Sequence, residues 1–246
     1  VFFNSLLKKG EKMERLFKIF RFDPQQEKAP RFQEYRVAVE QTDKILDCLN
    51  RIRWEQDPSL SLRMSCAHGI CGSDGMRING ICTLACQRLV RDYPEGTINI
   101  DPLPNFRVVK DLVVDIEPFF EKYCAVKPYL IAQETDSHVE RLQGVEARKE
   151  FDEAIRCILC ACCTAACPIS SENEKYLGPA ALLRAFRYLF DSRDQDAEER
   201  MGMLDNNDSI WGCKSHGKCT EVCPKQIDVR KWLATTKKKI YEAKQK

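Results

Sequence analysis

The sequence predicts an α+β protein in two successive parts, a mixed α and β region over residues 1–112 and an all-helical region over residues 113–246. Three observations carry this. Apolar residues alternate with polar ones in two short stretches before residue 40, as in half-buried strands. From Pro118 onward they recur at helical spacing. The 14 cysteines fall in clusters, and the cluster spacing differs between the two parts. At 246 residues the chain can bury a core in each part. With 43% hydrophobic and 31% charged residues it reads as a folded chain and not a disordered one. A net charge of +2 gives no reason to expect nucleic acid as a partner. No run approaches the ~18 apolar residues a membrane span needs, so membrane attachment would come through a partner.

Residues 16–22, Leu-Phe-Lys-Ile-Phe-Arg-Phe, predict a strand that stops at Asp23-Pro24. Residues 32–39 repeat the alternation after a polar connection, which predicts a hairpin with a long loop. Thr42 or Asp43 is placed to cap a helix carrying Ile45, Leu46, Leu49 and Ile52, and Pro58 stops it. A Gly- and Cys-rich loop follows over residues 65–80. Short strands are predicted near 81–86 and 97–100, and residues 111–115 add an apolar run. Beyond the boundary, which falls between about residues 105 and 118, helices are predicted over 145–156, over 179–190 and from Asp228 to the end. Val1-Phe2-Phe3 and Leu6-Leu7 form no secretory signal, which predicts a reducing cytosolic setting. There, clustered thiols read as metal ligands and not as disulfides.

The first cluster is Cys66-x4-Cys71-x2-Asp74-x11-Cys86. This is the plant-type [2Fe–2S] spacing with Asp in the third position. Gly69, Gly72 and Gly75 allow the tight turns that aim backbone N–H groups at sulfur. Asp74 stands where the spacing requires a ligand, and Cys82 is the competing fourth. The second cluster, Cys157-x2-Cys160-x2-Cys163-x3-Cys167-Pro168, is a complete bacterial ferredoxin run. A third, Cys213-x2-His216-x2-Cys219-x3-Cys223-Pro224, repeats it with His in place of the second Cys.

In two-cluster ferredoxins the last Cys of each run serves the other cluster. That rule assigns Cys157, Cys160, Cys163 and Cys223 to a [4Fe–4S] cluster. Cys167, Cys213 and Cys219 remain, and three thiolates suit a [3Fe–4S] cluster, with His216 either a fourth ligand or a cap. Cys48, Cys124 and Cys162 fit no pattern and read as small buried hydrophobes. His68, His138 and His216 form no sequence-level triad, and no phosphate-binding loop is present. The chain therefore reads as an electron relay, with a non-redox zinc module as the alternative from another class.

The segments at residues 65–75, 110–115, 157–163 and 178–184, with Cys219-x3-Cys-Pro-Lys225, resemble the iron–sulfur subunit of succinate dehydrogenase and fumarate reductase. The resemblance runs from Leu16 to the last helix. It implies a β-grasp plant-type ferredoxin domain followed by an all-α bacterial-ferredoxin-like domain. It also implies a FAD-containing flavoprotein partner that interconverts succinate and fumarate, and a membrane anchor of one or more subunits, with or without haem, where quinone binds. The chain would then lie peripherally on the cytoplasmic face of the inner membrane. Some bacterial members carry Asp at the third ligand position, which favours Asp74, and Cys162 matches a non-ligand. The pattern departs in two places. Members with a formed quinone pocket often carry Trp shortly after the Cys167-Pro168 equivalent, where this chain has Ile169-Ser-Ser-Glu-Asn173, and they tend to have an apolar residue at His216. Pro168, Lys214 and His216 are quinone-proximal candidates by position. The same relay run as quinol:fumarate reductase, and a soluble thiol-linked fumarate reductase, are the alternatives within the family.

Overall fold

The computed structural model describes residues 13–132 and 140–245. The N-terminal apolar run, His138 and Lys246 therefore lie outside the described residues. The chain divides into two compact units after Asp115.

In the first unit, β1 (Met13–Arg21) and β2 (Arg31–Val39) pair antiparallel, Phe17 opposite Tyr35. β3 (Gly75–Ile78), β4 (Ile81–Leu84) and β5 (Thr97–Asp101) complete a five-stranded sheet of order β2-β1-β5-β3-β4. β1 and β5 run parallel, which requires the long crossover between them. β3 begins inside the stretch expected as loop, because Met76 and Ile78 alternate into the core.

Across the sheet, α1 (Ile45–Glu55) buries Ile45, Leu46, Leu49 and Ile52 completely, along with Cys48. Its N-cap is Lys44 and not Thr42 or Asp43. Asp43 instead accepts from Glu40 N (3.0 Å) and Arg51 Nη1 (3.2 Å), and Asp47 accepts from Lys44 N at 3.3 Å. The apolar run after Asp111 contributes β7 (Val113–Val114), which pairs with β6 (Val108–Lys110).

One face of β1 buries a cation. Arg21 donates to Asp111 (3.0 Å), Asp57 (2.5 Å) and Ser59 (2.7 Å), and also to Tyr35. Asp111 in turn accepts from Phe22 N and Ser61 N, so one carboxylate ties three segments together. Unpaired, this guanidinium would cost several kcal/mol to bury.

The second unit is helical: α2 (Glu117–Ala125), α3 (Val145–Lys149), α4 (Cys162–Ala165), α5 (Pro168–Glu172), α6 (Pro179–Leu189), α7 (Ala197–Leu204), α8 (Lys218–Glu221) and α9 (Val229–Ala243). The helix expected over 145–156 stops after Lys149. Phe151 turns into the core at 0% exposure, and Glu153 caps the start of α9 by accepting from Asp228 N (2.7 Å) and Trp232 Nε1 (3.0 Å). Asp228 accepts from Lys231 N, the N-cap its sequence position predicts. Leu182, Leu183, Phe186 and Leu189 of α6 meet Val229, Leu233 and Ile240 of α9 in one core.

Buried Arg200 fastens the segment after α2. It donates to the carbonyls of Val126, Lys127 and Tyr129 and pairs with Asp194 at 2.9 Å.

Candidate metal centres

The loop ahead of β3 carries the first cysteine group. The sulfur of Cys66 accepts backbone N–H groups from Ile70 (3.4 Å) and Cys71 (3.3 Å). With His68 N–H as the strongest of these donors, they lower its thiol to about 6. Ala67, Gly69 and Gly72 have positive φ, which curls the loop around that sulfur. Gly69 suits this turn because its φ is +76°, and the Gln87 side chain packs where a Cβ would lie. From α1, Lys44 Nζ donates to Ala67 O at 2.9 Å and steadies the turn.

Asp74 is 2% exposed, and Cys86 N donates to its Oδ2 at 2.6 Å. Its Oδ1 is buried with no hydrogen-bond partner. Beside it, burial and then the Asp74 carboxylate push the Cys86 thiol up to about 12. A buried carboxylate oxygen left open next to a buried thiol is the donor set that a cation satisfies. Cys82 lies on β4, in register with Arg77 and 3% exposed.

The second unit sorts its thiols into two cavities. Cys157, Cys160, Cys163 and Cys223 line one, which is otherwise almost entirely apolar, with Leu183 and Ile227 among its walls. Cys167, Cys213 and Cys219 line the other, together with Tyr176, His216 and Arg230. The backbone repeats between the two runs. Leu159 and Ala161 have φ of 54° and 62°, and Ser215 and Gly217 have φ of 59° and 82°, so each run makes the same two left-handed turns before a short helix. His216 thus sits on the same scaffold as Cys160, exposed at the cavity rim. Pro168 and Lys214 line this same cavity.

Enclosure raises Cys157, Cys163, Cys219 and Cys223. Cys163 is pushed well above its ordinary value by burial and by its neighbouring sulfurs, and Cys219 is pushed up to about 11. Among the described residues, no three His, Cys, Asp or Glu side chains converge on a single-ion site. Thiols spread round a cavity suit a cluster several atoms wide better than one zinc, which needs sulfurs at about 2.3 Å. The unassigned cysteines differ: Cys162 and Cys48 are fully buried, whereas Cys124 is exposed.

Two residues at the three-thiol cavity carry no metal-binding signature. Tyr176 is 1% exposed and lines the cavity, and Lys237 Nζ donates to Cys213 O at 2.6 Å. Only their side-chain types are visible in the sequence; their burial is tertiary.

A family model described as a 2Fe-2S iron-sulfur cluster binding domain matches residues 16–121, and one described as a 4Fe-4S dicluster domain matches residues 153–227. The succinate dehydrogenase iron-sulfur subunit of Coxiella burnetii is 41% identical over 218 residues, 87% of this chain and 92% of the relative. The chain belongs to the succinate dehydrogenase iron–sulfur subunit family. The mitochondrial iron–sulfur subunit of Candida glabrata is 42% identical over 92% of this chain and 91% of its own length. That of Paracoccus denitrificans is 41% identical over 91% and 86%. Among solved structures, a chain of the Mycobacterium smegmatis Sdh1 complex in the apo form superposes with a TM-score of 0.88 at 25% identity, covering 96% of this chain and 99% of that one. The two family models place the iron–sulfur subunit's two-iron domain in the first unit and its dicluster domain in the second.

Proposed function

We propose that this iron–sulfur subunit relays single electrons from a FAD-containing flavoprotein, where succinate is oxidised, to quinone at a membrane anchor, through [2Fe–2S], [4Fe–4S] and [3Fe–4S] centres. The observation that carries the reading is the crossed sorting of seven thiols into two cavities. Each cavity takes its last cysteine from the other run, as two-cluster ferredoxins do. Cys66, Cys71, Asp74 and Cys86 would hold the two-iron cluster, with the open Oδ1 of Asp74 favouring it over Cys82. Cys157, Cys160, Cys163 and Cys223 would hold the four-iron cluster. Cys167, Cys213 and Cys219 would hold the three-iron cluster, with His216 as a rim residue. When bound, such clusters take up and release one electron at a time. The chain's own residues enclose the sulfurs of the second unit, donate hydrogen bonds to sulfur in both units and set their electrostatic surroundings. The sheet order, with one helix packed across it, is read as a β-grasp.

Attachment is assigned to anchor subunits on the cytoplasmic face of the membrane. No helix among the described residues is long and apolar enough to cross a membrane. On the last helix Lys237 donates to Cys213 O and Lys239 to Leu189 O, while Arg230, Lys231 and Lys238 are exposed and Lys244 pairs at the surface with Asp205. Pro168, Lys214 and His216, on the three-thiol cavity, are assigned to the quinone end.

An iron determination with EPR of the isolated and reduced protein tests the assignment. The expected result is about nine irons per chain and an oxidised-state signal from the three-iron centre. One further iron without that signal would make His216 a ligand of a second cube. A colourless protein holding only zinc would end the relay reading.

A further inference from the structure

The two cavities of the second unit have similar thiols but different walls. Besides its cysteines, the cavity of Cys157, Cys160, Cys163 and Cys223 has one polar lining residue, Lys225, and no hydroxyl. The three-thiol cavity contains a buried phenol. Tyr176 is 1% exposed and lines that cavity together with Cys167, Cys213 and Cys219.

The ring is held there by backbone on two sides. Tyr176 N donates to Asn173 O (3.1 Å), and Leu177 N donates to Asp208 O (2.9 Å), which stitches this segment to the loop before Cys213. Gly212 makes the approach possible. A Cβ at that position would lie 3.0 Å from the Tyr176 ring and 2.4 Å from Asn207 O, so any side chain there would displace the ring or the backbone beside it.

We propose that Tyr176 is a tuning residue, whose hydroxyl donates to the Cys213 sulfur and raises the reduction potential of the cluster held by Cys167, Cys213 and Cys219. The inference rests on the cluster assignment above. A donor to a cluster sulfur stabilises the more negative, reduced state more than the oxidised one, so it favours electron uptake. The enclosed site strengthens that preference, because little water competes for the sulfur.

The test is Tyr176→Phe in the purified complex, which removes one oxygen and keeps the ring. Redox titration followed by EPR reads each cluster separately. At a fixed ambient potential, the reduced-to-oxidised ratio of the three-thiol cluster is expected to fall about tenfold, a shift of about 59 mV for one electron. Iron content and the potentials of the other two clusters stay the same. An unmoved potential with iron intact overturns the proposal. Should the variant lose iron, ENDOR of the wild-type cluster decides. A hydroxyl proton coupling that disappears after exchange into deuterium oxide supports the donor, and its absence overturns it. Failure of the cluster assignment itself appears elsewhere, in the wild-type iron count and EPR signal.

Discussion

The two-iron loop and the helical cavities hold their sulfurs by different means. In the first unit, Cys66 sits on a partly exposed loop, and backbone N–H groups from His68, Cys71 and Ile70 bring its thiol down to about 6. That sulfur is readied by the loop itself. In the second unit, Cys163 and Cys219 pack against the core formed by α6 and α9, and enclosure raises both thiols. There too backbone N–H groups reach sulfur, Ser215 N to Cys213 and Ile227 N to Cys223 at 3.4 Å each, but at Cys223 burial outweighs them. The difference teaches that the first site joins exposed or partly exposed loop sulfurs to a buried Asp74 and Cys86, whereas the second pair packs against the hydrophobic core. Metal binding and folding are coupled more tightly where burial opposes the thiolate.

The largest expected effect separates these two cases. Cys163→Ser should cost the second unit its four-iron cluster and much of its thermal stability, because a core cavity is left without its filling. Cys71→Ser, on an exposed loop residue, should alter the two-iron spectrum and leave the second unit's clusters and melting intact. Iron analysis with calorimetry compares the pair, and equal unfolding in both variants would break the contrast.

A smaller effect sharpens the first site. Asp74→Asn keeps an oxygen able to accept from Cys86 N but removes the charge. The two-iron EPR spectrum should change while the other two clusters stay as they were. An unaltered two-iron spectrum would move the fourth ligand to Cys82 or solvent.

The smallest effect concerns ion pairs and not thiols. Asp191, 4% exposed, accepts from Arg187 (2.6 Å), Arg193 (2.8 Å) and Gln143 (3.0 Å). Burial alone would raise its pKa, but the donors, Arg193 first, hold the carboxyl well below its ordinary value. A depressed carboxyl contributes stability that is complete above its unfolded value of about 3.9 and is lost as pH falls toward the folded one. Asp191→Asn should therefore cost about 3 kcal/mol at neutral pH. The gap should narrow below about pH 4, read as amide hydrogen exchange at the end of α6. A gap unchanged across that range would show that the carboxylate is not charged in the fold.

The sequence by itself determined the two-part division and the elements with strong periodicity. β1, β2, α1, α6 and α9 were legible because their apolar faces follow strand or helix spacing over many residues. It also carried the three cysteine groups, and the crossing rule of two-cluster ferredoxins applied to them predicts the same sorting of seven thiols that the two cavities display. Weak, short elements were not legible. β3 hides in a glycine-rich stretch, and the predicted helix over 145–156 breaks because Phe151 and Glu153 are drawn into contacts far along the chain. Only the tertiary structure decided that Arg21 and Arg200 are buried cations with distant carboxylates, or that Asp74 keeps an unpaired oxygen. It alone decided that Tyr176 is buried in the wall of one thiol cavity while the other remains almost entirely apolar. The physical reason is range. Periodicity and ligand spacing act over a few bonds or a few turns, but burial and hydrogen-bond partners are settled by what the chain brings back from far away.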